Sequence, residues 1–242
     1  MDMIRQVLVV IPVINEKENL KVLIPKIINI LGNVEIYIIN DNSSDGLEYF
    51  IEEIDNPKIR MVTRNKRLGI GSAHILGLEF AKENNFAYCI TMDGDQTHDP
   101  IYLRSLYETL NVGSADLVLT SRFLPGGGLD NWSLTRKLFT ILGHSLTSFI
   151  FKSSMDVTSG MRAYRVSSLR SEMLNWLRFS NYEFLPLSYY FYSSHKMYIT
   201  QIPIKLPKRI FGRSKINFKL IILNIYSILF ARLKFNTFIK NR

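Results

Sequence analysis

Two carboxylates one residue apart, Asp93 and Asp95, stand in the stretch ITMDGDQTHDP, directly after the apolar run at residues 86–92. A buried strand that ends in a D-x-D pair presents hard oxygen ligands at the carboxyl edge of a sheet. Mg²⁺ and Mn²⁺ take such ligands and keep positions open for substrate phosphates. Ligands of open α/β sheets collect outside the carboxyl ends of the strands. A solvated acidic turn carries the same letters, so the pair alone leaves both readings open. Asp41 also follows an apolar run and precedes turn residues. It suits either a hydrogen-bond acceptor for a base or ribose, or a plain helix N-cap.

These residues need a scaffold, and the chain is long enough to supply one. With 242 residues and 47% hydrophobic content it buries a full core, as one large α/β domain or a domain with an appendage. The single cysteine, Cys89, falls inside the apolar run and reads as core packing in a reducing compartment. The four histidines show no zinc-type spacing. Residues 1–6 lead straight into a strand-like run with no small-residue cleavage site, so no signal peptide is expected.

Along the chain, residues 5–12 read as a buried strand and 16–31 as a helix capped by Asn15 and stopped by Gly32. Strands follow at 34–40, 59–63 and 86–92, with helices near 47–54 and 72–84. This β-α-β-α-β-α-β order predicts a parallel sheet with right-handed crossovers, a Rossmann-like nucleotide-binding half. Further helices are expected at 100–111, 132–152, 165–177 and 183–192, and strands at 115–121, 157–164 and 197–204. Gly69 and Gly71 sit after the third strand, not the first, so the dinucleotide fingerprint is rejected.

Charge divides the chain unevenly. Glu183 is the last acidic residue and 11 Lys and Arg follow it, whereas the first 183 residues are near neutral. A basic, apolar tail points to an anionic surface. Its longest charge-free stretch, residues 220–231, has 12 residues, short of the roughly 20 a spanning helix needs. An interfacial amphipathic helix with basic ends is therefore expected, with a core helix as the alternative. The tail lacks the aromatic-basic interleaving of single-strand binders, so no nucleic acid partner is expected.

Taken in order, VVIPVINEKENL, IINDNSSDG, RNKRLGIGSAHILGL, MDGDQTHDP, SRFLPGGG, NWSLTRKL, DVTSGMRAYR and GRSK cover residue 9 to about residue 215. This series resembles glycosyltransferase family 2, and within it the polyprenol- and dolichol-phosphate mannose synthases. The resemblance implies a GT-A fold with residues 1–210 as catalytic domain and 211–242 as a membrane-interface tail. It implies Pro12, Glu16, Asp41 and Asp93 as nucleotide-binding residues, and Asp93 and Asp95 as the metal-and-diphosphate motif. Relatives often carry Gln or Ser where Thr97 stands, and Gln96 beside it is the substitute third metal ligand. Arg122, Arg136, Thr140, Arg213 and Lys215 match acceptor-phosphate positions, and Arg122 counts with the two aspartates as catalytic.

The implied reaction moves a hexose, mannose from GDP-mannose, onto a polyprenyl phosphate with inversion and with Mg²⁺ or Mn²⁺. It implies a place at the cytoplasmic face of a membrane, peripheral or monotopic, with an anchoring membrane subunit as a possible partner. A same-class alternative uses a UDP-sugar, or a saccharide hydroxyl as acceptor, for which Asp156 is the one candidate base. A different class is a nucleotide-sugar or nucleic-acid binder without catalysis.

Overall fold

The computed structural model describes residues 5–178 and 180–207, with Tyr226 and Leu229 beyond them. The expected N-terminal half forms as read. β1 (Arg5–Val13), α1 (Lys17–Leu31), β2 (Glu35–Asn40), α2 (Leu47–Ile54), β3 (Ile59–Thr63), α3 (Ile70–Glu83) and β4 (Phe86–Thr91) alternate strand and helix. β1 pairs in parallel with β2 and β4, and β2 with β3. β1, β2 and β4 are covered on both faces, which is why they read as apolar runs, whereas β3 is the edge strand with Arg60 and Thr63 exposed. α1 is not capped by Asn15, however. Asn15 has φ 54° and bonds the Ser43–Ser44 turn, while the Asp45 carboxylate accepts the Lys17 N–H at 2.8 Å. The cap is supplied from across the fold, a contact the local sequence does not reveal.

The second half follows as α4 (Tyr102–Val112), β5 (Leu117–Ser121), β6 (Gly128–Leu129), α5 (Leu134–Phe151), β7 (Arg162–Arg165), α6 (Ser171–Leu177), α7 (Phe184–Ser194), β8 (Ile199–Pro203) and β9 (Lys205–Leu206). The main sheet has the order β3-β2-β1-β4-β7-β5-β8, and β6 pairs with β9 in a small second sheet. β7 runs antiparallel between β4 and β5. The strand expected over 157–164 is thus shorter and later, and the helix expected over 165–177 is broken into the end of β7, a 3₁₀ turn at Val166–Ser168, and α6. Arg165 sets this boundary by donating to the carbonyls of Ala115, Leu110 and Gly113. One core face packs α1 and α4 through Leu20, Leu23, Ile27, Leu103 and Leu106. The other packs α3, α6 and α7 through Ile75, Leu78, Met173, Phe184 and Tyr192.

Residues 152–161 form a loop on the carboxyl side of the sheet, and a fully buried arginine braces it. Arg162 donates to the carbonyls of Val157 (2.6 Å) and Ser159 (2.7 Å) in the loop. It also donates to Leu185 O (2.7 Å) and Ser188 Oγ (2.9 Å) on α7. Burial lowers its pKa, because taking a guanidinium out of water outweighs the stabilisation from Tyr164 and the Asp156 charge. Arg162→Met keeps the bulk and strands four buried acceptors. The expected cost is about 3 kcal/mol or more, a fall in Tm of roughly 10 °C. Thermal unfolding checks this, and a shift below about 2 °C would mean the brace carries no stability.

Candidate active site

The exits of β1, β2, β4 and β5, the 157–160 loop and the start of α7 surround a cleft of about 520 Å³. β4 delivers the carboxylates. Met92 is fully buried, and the chain then turns through Asp93, Gly94 and Asp95. A side chain at Gly94 would meet Val13 Cγ1 at 2.6 Å, so this bend packs directly on β1 and requires glycine. The Asp93 N–H donates to His98 Nδ1 at 2.9 Å, which makes that nitrogen an acceptor and places any proton of the neutral ring on Nε2. The Thr97 N–H (3.1 Å) and hydroxyl (2.6 Å) both donate to Asp95 Oδ1.

Asp93 and Asp95 both line the cleft. Two hard carboxylates at a strand edge suit Mg²⁺ or Mn²⁺ held jointly with substrate phosphates. Among the described residues no group of three or more His, Cys, Asp or Glu side chains has metal-holding geometry, so a cation here would draw further oxygens from its substrate. Gln96 is placed differently from the expectation. It has φ 61°, and its amide donates to Asn19 of α1 at 2.8 Å rather than joining the cleft lining. Thr97 is the neighbour that touches Asp95, so the metal reading narrows to the two aspartates.

Pro12, Glu16 and Asp41, which the resemblance implies as nucleotide contacts, line the cleft. Asp41 is not a helix cap. Arg64 Nη2 lies 3.0 Å from its carboxylate, and the Leu68 N–H donates to Oδ1 at 3.2 Å. Arg64 is itself fixed by Ser72 Oγ (2.7 Å) and Gly69 O (3.1 Å). Gly69 and Gly71 serve packing. A Cβ on either would collide with Asn181, and one on Gly71 also with the Ser180 carbonyl, so the start of α3 nests against residues 180–184.

On the opposite side, Arg122 leaves β5 and forms a two-bond pair with Asp156, Nε to Oδ2 at 2.7 Å and Nη2 to Oδ1 at 2.6 Å. Burial raises the Asp156 pKa, but the charge and hydrogen bonds of Arg122 outweigh it and hold the carboxyl below the ordinary range. Asp156 is fully buried and does not line the cleft, which removes it as the base considered for a hydroxyl acceptor. Arg136 lies over the Trp132 ring at 3.6 Å, and Trp132 Nε1 donates to Pro207 O at 3.1 Å. This stack places the guanidinium at the cleft wall. Thr140 sits one turn further along α5, where its hydroxyl donates to Arg136 O at 2.9 Å and does not reach the cleft. Arg213 and Lys215 lie outside the described residues.

The cleft also collects residues that sequence reasoning left unassigned: Arg64, Arg67, His74, His98, Ser159 and Tyr182. His74 is fully buried and stacked on Phe184, and among the described residues neither ring nitrogen has a partner. Burial, with Arg162 and His98 nearby, pushes its pKa down to about 3, so the ring is neutral near pH 7. A lone histidine on a helix gives no sequence signal of this kind. Thr158, Ser159 and Gly160 were visible only as part of DVTSG, without roles.

Comparison with known proteins agrees with this geometry. The chain is 27% identical over 217 residues to a polyprenol monophosphomannose synthase of Mycolicibacterium smegmatis, covering 88% of this chain and 82% of that protein. It is 29% identical over 215 residues to an undecaprenyl-phosphate mannosyltransferase of Micrococcus luteus, covering 88% of each. Among solved structures, glucosyl-3-phosphoglycerate synthase of Mycobacterium tuberculosis, in complex with Mn²⁺, UDP-glucose and phosphoglyceric acid, superposes with a TM-score of 0.67 at 17% identity. That match covers 95% of this chain and 79% of the other, and places the fold in the GT-A class. The family model described as glycosyl transferase family 2 matches residues 8–172, and the chain belongs to that family of glycosyltransferases.

Proposed function

We propose that the chain transfers a single hexose, mannose from GDP-mannose, to a polyprenyl phosphate with inversion at the anomeric carbon. The observation that carries this reading is the sorting of charge in one cleft. Asp93 and Asp95 line it with Asp41 and Glu16, and Arg122 and Arg136 line it from the acceptor side. The two mannosyltransferase relatives support the sugar and the lipid phosphate. A divalent cation on Asp93 and Asp95 would neutralise the departing diphosphate as a Lewis acid.

A phosphate acceptor is already an anionic nucleophile and needs no general base. It needs cationic donors that bring it against a second anion, and arginine grips phosphate through paired N–H groups. The state of Asp156 supports this acceptor over a saccharide hydroxyl. A fully buried carboxylate locked to Arg122 is a poor proton acceptor for an incoming hydroxyl. Asp41, fixed by Arg64 and the Leu68 N–H, is suited to hold the base or ribose.

In this reading the protein works at the cytoplasmic face of a membrane. The tail at residues 211–242, on which the sequence places the interface, lies outside the described residues except for Tyr226 and Leu229. α5 offers a second contact. Leu134, Leu138, Ile141, Leu142 and Phe149 are all exposed, and their spacing puts them on one side of the helix. The stripe starts beside Arg136 at the cleft, and a lipid acceptor must bring its phosphate to the cleft with its chain still in lipid. Among the described residues no helix is long and apolar enough to cross a membrane.

Transfer is tested with labelled GDP-mannose and UDP-glucose, polyprenyl phosphate and Mn²⁺. Organic-extractable label from GDP-mannose is expected; label from UDP-glucose alone would reassign the donor, and none from any donor would end the proposal. Asp95→Asn keeps the acceptor for Thr97 and removes one charge. Turnover should fall by roughly 10²–10³-fold, the equivalent of several kcal/mol of lost charge stabilisation, with Tm little changed. Leu138→Asp with Leu142→Asp should reduce flotation with anionic liposomes while leaving the melting profile cooperative. Undiminished flotation would remove α5 from the interface, and salt-sensitive binding to RNA instead would favour a nucleic-acid module.

A further inference from the structure

We propose that Asp156 is a positioning residue that aims Arg122 at the acceptor phosphate, a role that rests on the acceptor reading above. The carboxylate accepts four donors. These are Arg122 Nε (2.7 Å), Arg122 Nη2 (2.6 Å), the Arg122 backbone N–H (3.1 Å) and the Thr158 hydroxyl (3.1 Å). Arg122 Nη2 also donates to Thr158 Oγ1. An arginine side chain ordinarily samples many rotamers and loses that freedom on binding. Here the fork is fixed in advance along one edge.

What remains of the guanidinium defines its task. Among the described residues Nη1 makes no hydrogen bond, and the side chain lines the cleft while staying 11% exposed. Nη1 is the group left to meet a phosphate oxygen. The Asp156 charge offsets that of Arg122, so the arginine contributes a directed hydrogen bond more than a free positive charge.

The clamp is anchored from behind. The Asp156 N–H donates to Gln201 Oε1 on β8 at 3.3 Å. Arg162 grips the carbonyls on either side of Thr158, at Val157 and Ser159. Asp156 neither lines the cleft nor reaches solvent, so it acts on the reaction through the cleft residues that donate to it, Arg122 with three bonds and Thr158 with one.

The test is a double-mutant cycle on the full chain, with acceptor and donor concentrations varied separately. Asp156→Asn should raise the KM for polyprenyl phosphate about 10-fold and leave the KM for the sugar nucleotide unchanged, the loss expected for one charge-assisted hydrogen bond. In the Arg122→Gln background the same change should add less than about twofold, because its main target is gone. Equal losses in both backgrounds would overturn the positioning role, as would a loss confined to kcat with an altered pH profile. If Arg122→Gln itself leaves the acceptor KM unchanged, the acceptor reading of Arg122 fails and the proposal with it. Should Asp156→Asn not fold, Thr158→Val removes one contact to the same fork. It should raise the acceptor KM about threefold and have no effect beside Arg122→Gln, and an equal effect in both backgrounds would overturn the proposal.

Discussion

A guanidinium buried without a carboxylate of its own holds one side of this cleft together. Arg162 spans from the 157–159 backbone to α7, and its four acceptors are carbonyls and a hydroxyl. Taking a charge out of water is costly, and it persists only where every donor finds a dipole. The consequence is positional. Val157 and Ser159 cannot shift without breaking those bonds, so Asp156, Thr158 and Gly160 between and beside them are fixed relative to α7. β7, which carries Arg162, is itself clamped between β4 and β5. The strand that bears the aspartates and the loop that bears the arginine clamp are thereby joined through one antiparallel neighbour.

Under the proposed transfer that rigidity matters, because a donor diphosphate and a lipid phosphate are both anions. Two unit charges 4 Å apart repel by about 4 kcal/mol at an effective dielectric of 20. A flexible arginine relieves this only after losing rotamer freedom, whereas a clamped one has lost it during folding. The same logic applies to Arg136, which lies flat on Trp132, and Trp132 is tied in turn to Pro207. Asp41, proposed to hold the base or ribose, is fixed in turn by Arg64. In each case a side chain facing the cleft is held by a second one packed against it.

How much of this was legible in the sequence depends on whether the controlling contacts are local. β1, β2 and β4 were readable because parallel strands buried on both faces leave continuous apolar runs, and their carboxyl ends marked Pro12, Asp41, Asp93 and Asp95. β7 was misplaced because it is four residues long with arginine at both ends, and bonds to distant carbonyls decide its limits. Asn15 has the composition of a cap, but Asp45 from another loop takes that role. Gln96 has the chemistry of a ligand, but its left-handed backbone and Asn19 turn its amide to α1. His74 gave no signal, since burial rather than residue type makes it unusual.

The proposed lipid acceptor would also account for the arrangement of α5. A helix that served only as core would bury its apolar stripe, as α4 does with Leu103, Leu106 and Leu110. α5 buries Thr147, Ile150 and Phe151 at its far end and leaves Leu134, Leu138 and Leu142 exposed at the end nearest Arg136. The exposed apolar stripe runs from Leu134 to Phe149, and Thr147, Ile150 and Phe151 anchor the other side of the helix at its far end. Burying the stripe in the protein would separate the phosphate pocket from the bilayer by the thickness of a packed layer. Leaving it open costs hydrophobic stabilisation in water, and under the proposed function lipid covering the helix would restore it and couple occupancy of the acceptor pocket to the membrane surface.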